Sequence, residues 1–145
     1  MREMRLGAMS ICLTQESHAK LHTVRALVVD EDAVYQNLLC KLLVTNGMQV
    51  VGRVSHLDEA VGMYKDAAPD VVLADLSSDV ESRITRLFKI KEIDPLAKIV
   101  VFSILSFFGD VAQGRDGLID AHIMKGSAAR DIVGTIQNVV VGEKT

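Results

Sequence analysis

The stretch Val71-Val72-Leu73-Ala74-Asp75-Leu76-Ser77-Ser78 decides how this chain folds: four apolar residues in succession, one acid, then a short run ending in two serines. An unbroken apolar tetrad after the turn signal Ala68-Pro69-Asp70 suits a strand buried on both faces, as in a parallel sheet. The acid then stands at the strand's carboxyl end, the edge where open α/β sheets carry their functional groups. On this stretch alone the plainer reading, that Asp75 only caps the segment that follows, stands ahead of a functional one.

Upstream, Val24 to Val29 repeat the pattern, with Ala26-Leu27-Val28-Val29 apolar throughout and Asp30-Glu31-Asp32 at the end. Val34, Leu38, Leu39, Leu42 and Leu43 then recur at helical spacing, and Asn46-Gly47 closes that first helix. Asp32 is read as the helix N-cap in preference to a metal ligand. Met48 to Val54 form the next strand, and Ser55-x-x-Asp58 opens a second helix with Ala60, Val61 and Tyr64 facing inward.

Downstream, a third helix is expected from about Asp79 to Ile93, with Val80, Ile84, Leu87 and Phe88 on one face and Asp94-Pro95 as its stop. Strand 4 runs from Lys98 to Phe102 and ends at Ser103; strand 5 runs from Ala121 to Met124 and ends at Lys125. Between them stand Phe107, Phe108, Gly109, Gly114 and Gly117. Each glycine lowers helix stability by about 1 kcal/mol against alanine, so the fourth helix is expected to be short or mobile. Ser127 is the expected cap of the last helix, with Ile132, Val133, Ile136, Val139 and Val140 inward. Strand and helix alternate five times, which predicts a flavodoxin-like doubly wound α/β fold: five parallel strands in the order 2-1-3-4-5, helices on both faces.

The 145 residues fit one domain, expected over 24–145, after an N-terminal extension over 1–23 that shows no clear period and is expected to be partly mobile. A hydrophobic fraction of 49% with 4% aromatics and no Trp implies an aliphatic core. A net charge of −3 and no basic patch argue against nucleic acid or an anionic membrane as a partner. No apolar run is long enough to span a membrane. Arg2 and Arg5 before Leu6 to Leu13 loosely imitate a secretion signal, but Ser10 interrupts the run and no small-residue cleavage pattern follows, so a cytoplasmic location is expected. Cys12 and Cys40 lack metal or disulfide spacing, and Cys40 reads as a small hydrophobe within a helix.

The expected topology gathers Asp30, Glu31, Asp75, Ser103 and Lys125 along one sheet edge. Three clustered carboxylates repel one another unless a cation intervenes, and an all-oxygen donor set suits Mg²⁺. Lys125 adds a second positive charge. A metal and an ammonium around one carboxylate are what phosphoryl transfer needs, with Asp75 as nucleophile and Ser103 as hydrogen-bond donor to the new oxygens. The plainer alternatives are that Lys125 is only a buried partner for the acids and Ser103 only a strand-end hydroxyl.

On these residues the chain resembles the receiver domain of bacterial two-component response regulators over about residues 24 to 141. The resemblance is carried by Val28-Val29-Asp30-Glu31, by Asp75, by Ser103 and by Asp120-Ala121-His122-Ile123-Met124-Lys125, with 45 residues (75 − 30) between the first acid and Asp75. It implies phosphorylation of Asp75 by a sensor histidine kinase. It also implies Mg²⁺ held by Glu31, Asp75 and the backbone carbonyl of Ser77, with Asp30 assisting through water. Lys125 would pair with the phosphoryl group, Ser103 would move inward, and strand 4, the fourth helix and strand 5 would rearrange as a switch. Lys125-Gly126-Ser127 and the last helix look most like LuxR or NarL-type receivers, whose helix-turn-helix outputs regulate transcription.

The sequence departs from that family after Asp75, where Ser78-Asp79 replaces the usual Met-Pro and no Asp-Gly follows, and at the switch position, where His122 replaces Tyr or Phe. These departures motivate an alternative: a degenerate pseudo-receiver that acts through protein contacts without phosphate. A Mg²⁺-dependent hydrolase would require an Asp-x-Asp pair, and Asp79 falls too far on, so the chain is not expected to be an enzyme. The chain ends at Gly142-Glu143-Lys144-Thr145 soon after the last helix, so no DNA-binding segment is expected within it, whether the receiver is stand-alone or excised. Phe107 and Phe108 are candidates either for burial or for a homodimer surface made by the fourth helix, strand 5 and the last helix.

Overall fold

The computed structural model describes residues 22–104 and 117–142. In chain order these form β1 (Arg25–Val29), α1 (Ala33–Thr45), β2 (Gln49–Val54), α2 (Leu57–Ala67), β3 (Val71–Asp75), α3 (Val80–Ile93), β4 (Ile99–Ser103), β5 (Ala121–Met124) and α4 (Ala129–Val140). All neighbouring strands pair in parallel, in the order β2-β1-β3-β4-β5. This is the flavodoxin-like topology expected from the alternating pattern. The expected 1–23 extension falls largely, and the glycine-rich stretch with Phe107, Phe108, Gly109 and Gly114 wholly, outside the described residues.

The apolar strands are continuous because both faces of the sheet are covered. Leu27, Val29, Val72, Ala74, Ile99 and Val101 point to one side and pack with Leu57, Ala60 and Tyr64 of α2 and Ile84, Leu87 and Ile90 of α3. Ala26, Val28, Val71, Leu73, Val100, Phe102 and Ile123 point to the other and meet Leu39, Cys40 and Leu43 of α1 and Ile132, Val133, Ile136 and Val139 of α4. The twofold alternation along each strand divides one apolar run between two cores.

The helix ends follow local chemistry. Asp32 caps α1 as expected, its Oδ1 accepting from the backbone N–H of Val34 at 3.0 Å and of Tyr35 at 3.2 Å. At the other end Gly47 adopts φ +82°, and Met48 N–H donates to the Leu43 carbonyl while Gly47 N–H donates to that of Val44, a Schellman closure. Asp94 ends α3, and it also accepts the Tyr64 hydroxyl at 2.8 Å, tying α2 to α3.

Four local expectations need correction. The buried positions of α1 are Gln36, Leu39, Cys40 and Leu43, while Val34 and Leu38 are exposed. The rotation is set by Gln36, whose side-chain amide donates to the Val54 carbonyl at 2.8 Å and so locks α1 onto the end of β2. On α3 the inner face includes Arg83, whereas Phe88 is 45% exposed. Helix α2 starts after His56, not at Ser55, because Glu59 reaches back to accept the His56 N–H at 3.1 Å. Ser127 does not cap α4: its hydroxyl donates to the Met124 carbonyl at 2.6 Å, closing the turn after β5, and Ala128 occupies the cap position.

These placements predict unequal costs at adjacent positions of α3. Leu87→Ala should lower unfolding free energy by about 2–5 kcal/mol because it opens a cavity in a fully buried layer. Phe88→Ala should cost roughly 1 kcal/mol or less. Urea unfolding of the two variants checks the difference.

Candidate functional site

The carboxyl edge of the sheet is built by strand-end hydrogen bonds that extend each ladder by one residue. Asp30 N–H donates to the Val54 carbonyl at 3.0 Å, Leu76 N–H to Phe102 at 2.8 Å, and Lys125 N–H to Ser103 at 2.8 Å. The backbones that carry Asp30, Asp75 and Lys125 are therefore fixed by their neighbours.

Lys125 joins the acids. Its Nζ lies 2.9 Å from Asp30 Oδ2 and 3.2 Å from Asp75 Oδ1, with all three side chains nearly buried. The same ammonium sits 4.6 Å from the centroid of the Tyr35 ring, a cation–π contact from the first turn of α1. Burial alone would depress the Lys125 pKa. The hydrogen bond to Asp30 and the charges of Asp75 and Asp30 outweigh it and hold the ammonium above its usual value. Burial pushes the Asp30 carboxyl up, against the opposing pull of Lys125 and of the Asp32 N–H, which donates to Asp30 Oδ1 at 2.8 Å.

Asp75 Oδ1 also accepts from the Ser77 backbone N–H at 3.1 Å and from the Ser77 hydroxyl at 2.6 Å. Oδ2 faces Arg83, with Nη1 3.9 Å away. The loop after Asp75 runs through Asp79 in the left-handed region, at φ +48°, before α3 begins. Aspartate tolerates that conformation better than most residues.

Glu31 is placed differently from Asp30 and Asp75. Its side chain is 49% exposed, and Oε2 is held by Arg83 Nη2 at 3.0 Å and His56 Nδ1 at 3.2 Å. Ser103 closes β4 one residue beyond Phe102, the partner of Asp75 across the sheet. Its Oγ lies 2.8 Å from Nε2 of His122 on β5. Burial holds the His122 imidazole below its ordinary pKa.

The structure thus brings Asp30, Asp75, Ser77 and Lys125 into direct contact, places Glu31 at the rim, and pairs Ser103 with His122. The donor set has the hard oxygens that Mg²⁺ prefers. The geometry gives the gap between Glu31 and Asp75 to a guanidinium, and among the described residues no three Asp, Glu, His or Cys side chains are arranged to hold a metal. The acids have the chemistry such an ion prefers, and Arg83 stands between two of them.

Arg83 and Tyr35 are the site residues that sequence reasoning missed. Arg83 carried a signal: it is a charged residue adjoining the apolar stripe Val80-Ile84-Leu87, where an unpaired charge would be costly. Tyr35 carried none beyond its closeness to the Asp30 turn. Among the described residues no helix is long and apolar enough to cross a membrane.

Comparison with known proteins gives this edge a context. Residues 26–137 match the family model of the response regulator receiver domain. The chain is 36% identical over 109 residues to the chemotaxis protein CheY of Bacillus subtilis (strain 168), an overlap of 75% of this chain and 82% of that protein. Its backbone is similar to a LuxR-family two-component response regulator from Aurantimonas sp. SI85-9A1, with a TM-score of 0.76 at 22% identity, covering 85% of this chain and 89% of that one. It is also similar to a chain in the CheX-CheY-BeF3-Mg complex from Borrelia burgdorferi, with a TM-score of 0.71 at 22% identity over 80% of this chain and 88% of that one. The family match spans every strand that contributes to the Asp30–Asp75–Lys125 cluster, and the chain belongs to the response regulator receiver domain family, a family of signalling domains.

Proposed function

We propose that this chain accepts a phosphoryl group on Asp75 from a sensor histidine kinase and uses the modification to change a protein-binding face. One observation carries the reading: a charged, nearly buried Lys125 shared between Asp75 and Asp30 at the end of the central strands. A carboxylate there can act as nucleophile, and the ammonium lies within reach of negative charge added to it. In this reading Mg²⁺ is held by Asp30, Glu31, Asp75 and the Ser77 carbonyl, and it neutralises charge during transfer. That a similar chain forms part of a CheX-CheY-BeF3-Mg complex supports the assignment.

Ser103 and His122 are the proposed switch pair. Withdrawal of the Ser103 hydroxyl from His122 toward a phosphorylated Asp75 would free the ring and alter β5. Ile104 and Met124, both exposed hydrophobics beside these residues, suit a homodimer or partner surface on that side. We assign the protein to the cytoplasm and, by likeness to LuxR-family receivers, to control of transcription through a partner or a separate output domain. A second reading, the phosphate-independent pseudo-receiver, is favoured by one feature, the engagement of Glu31 by Arg83.

Incubation with acetyl phosphate and Mg²⁺ should add one phosphoryl group by intact mass, and Asp75→Asn should reduce incorporation to background. No added mass on the wild-type protein would favour the pseudo-receiver. The half-buried His122 gives a pH prediction. A depressed imidazole pKa stabilises the fold above the usual value of 6.5, and this stability is lost as pH falls through the folded value. Between about pH 7.5 and 5.5 the wild type should therefore lose more melting temperature than His122→Gln does. Thermal scans at the two pH values measure the difference.

A further inference from the structure

Arg83 is the one charged side chain of α3 on its buried face, with 7% exposure. Its guanidinium lies between the two acids that a divalent ion would bridge: Nη2 is 3.0 Å from Glu31 Oε2, and Nη1 is 3.9 Å from Asp75 Oδ2. Nη1 also donates to the Asp75 carbonyl at 3.1 Å, and Nη2 to the Ser78 hydroxyl at 3.4 Å. The third nitrogen, Nε, is buried without a hydrogen-bond partner. A buried, unsatisfied donor on a charged group is costly, so the arrangement is held by the acids rather than by good hydrogen-bonding geometry.

Charge points the same way. Asp30, Glu31 and Asp75 face two fixed cations, Lys125 and Arg83, so one negative charge is left over. With a divalent ion in place of Arg83 the three carboxylates would be balanced. With both present the site would carry excess positive charge, and the guanidinium and the ion would repel each other across a few ångströms. A cleft of about 170 Å³, lined in part by Glu31, His56, Asp79 and Arg86, adjoins Arg83 and gives its side chain room to withdraw.

We propose that Arg83 is a resident cation of the Glu31–Asp75 gap that competes with a divalent ion for these acids, so that Mg²⁺ enters only as the guanidinium leaves. The inference deepens the phosphoacceptor reading and rests on it for the choice of ion. It makes the α3 arginine a determinant of how much metal the site holds at a given concentration.

The test reads metal binding directly, without any phosphoryl donor. Mn²⁺ is titrated into the full chain, free ion is followed by electron paramagnetic resonance, and Mg²⁺ competition gives the Mg²⁺ affinity. Arg83→Met keeps the apolar stem and removes the charge, and it should tighten both affinities by about two- to fivefold, the order expected when one partly exposed ion pair need no longer be broken. Arg83→Lys, which retains a cation, should stay closer to the wild type. Affinity unchanged or weakened in Arg83→Met would overturn the proposal.

If Arg83→Met does not fold, nitrogen-15 spectra of the wild type replace it. The Arg83 Nε resonance should move on addition of Mg²⁺ and not on matching the ionic strength with NaCl. A stationary resonance during saturable metal binding would overturn the proposal. A protein that shows the predicted metal competition yet takes no phosphate from acetyl phosphate would support the competition and contradict the phosphoacceptor reading.

Discussion

Everything at the carboxyl edge of this sheet depends on one ammonium group shared by two buried carboxylates. Asp30 and Asp75 end adjacent strands, and the parallel register allows neither to turn into bulk water. Two such carboxylates side by side would repel each other. Lys125, delivered from β5, keeps a positive charge between them. Its own charge survives burial because the two acids favour it more than desolvation opposes it. Removing Lys125 leaves two buried carboxylates without their shared cation, a severe defect for an interior of this kind.

Around that core the site is asymmetric. The Lys125 side is tight, and its backbone is held by ladder hydrogen bonds to neighbouring strands. The Glu31 side is open, and its carboxylate is engaged by two side chains from other elements, His56 ahead of α2 and the Arg83 guanidinium on α3. On the phosphoacceptor reading, the tight side stabilises added phosphoryl charge and the open side governs access of the metal. The Ser77-Ser78-Asp79 loop joins the two. It donates to Asp75 through Ser77, and then turns through a left-handed Asp79 to launch the helix that carries Arg83.

The parts legible in the sequence were those set by short-range rules. Apolar runs located the central strands, and alternation of strand and helix then restricted the topology to the one observed. The acids at the ends of Val29 and Ala74, with Lys125 after Met124, could be placed together once that order was assumed. What could not be read depended on long-range polar contacts. Helix α1 has aliphatic residues around much of its circumference, so periodicity allowed more than one rotation. The Gln36 bond to the Val54 carbonyl selected between them. Ser127 has the identity of a cap, but the turn after β5 takes its hydroxyl first. The role of Arg83 was not legible because its partners, Glu31 and the Asp75 carbonyl, are far from it in sequence or hidden in the backbone.

The central claim, that Asp75 is the group this edge exists to modify, is tested most directly by locating the modification. After treatment with acetyl phosphate and Mg²⁺, borohydride reduction converts an aspartyl phosphate to homoserine, which tandem mass spectrometry assigns to a position. The account predicts homoserine at position 75 alone. Reduction at Asp30, or phosphate recovered on the Ser77 or Ser78 hydroxyl with Asp75 intact, would contradict it.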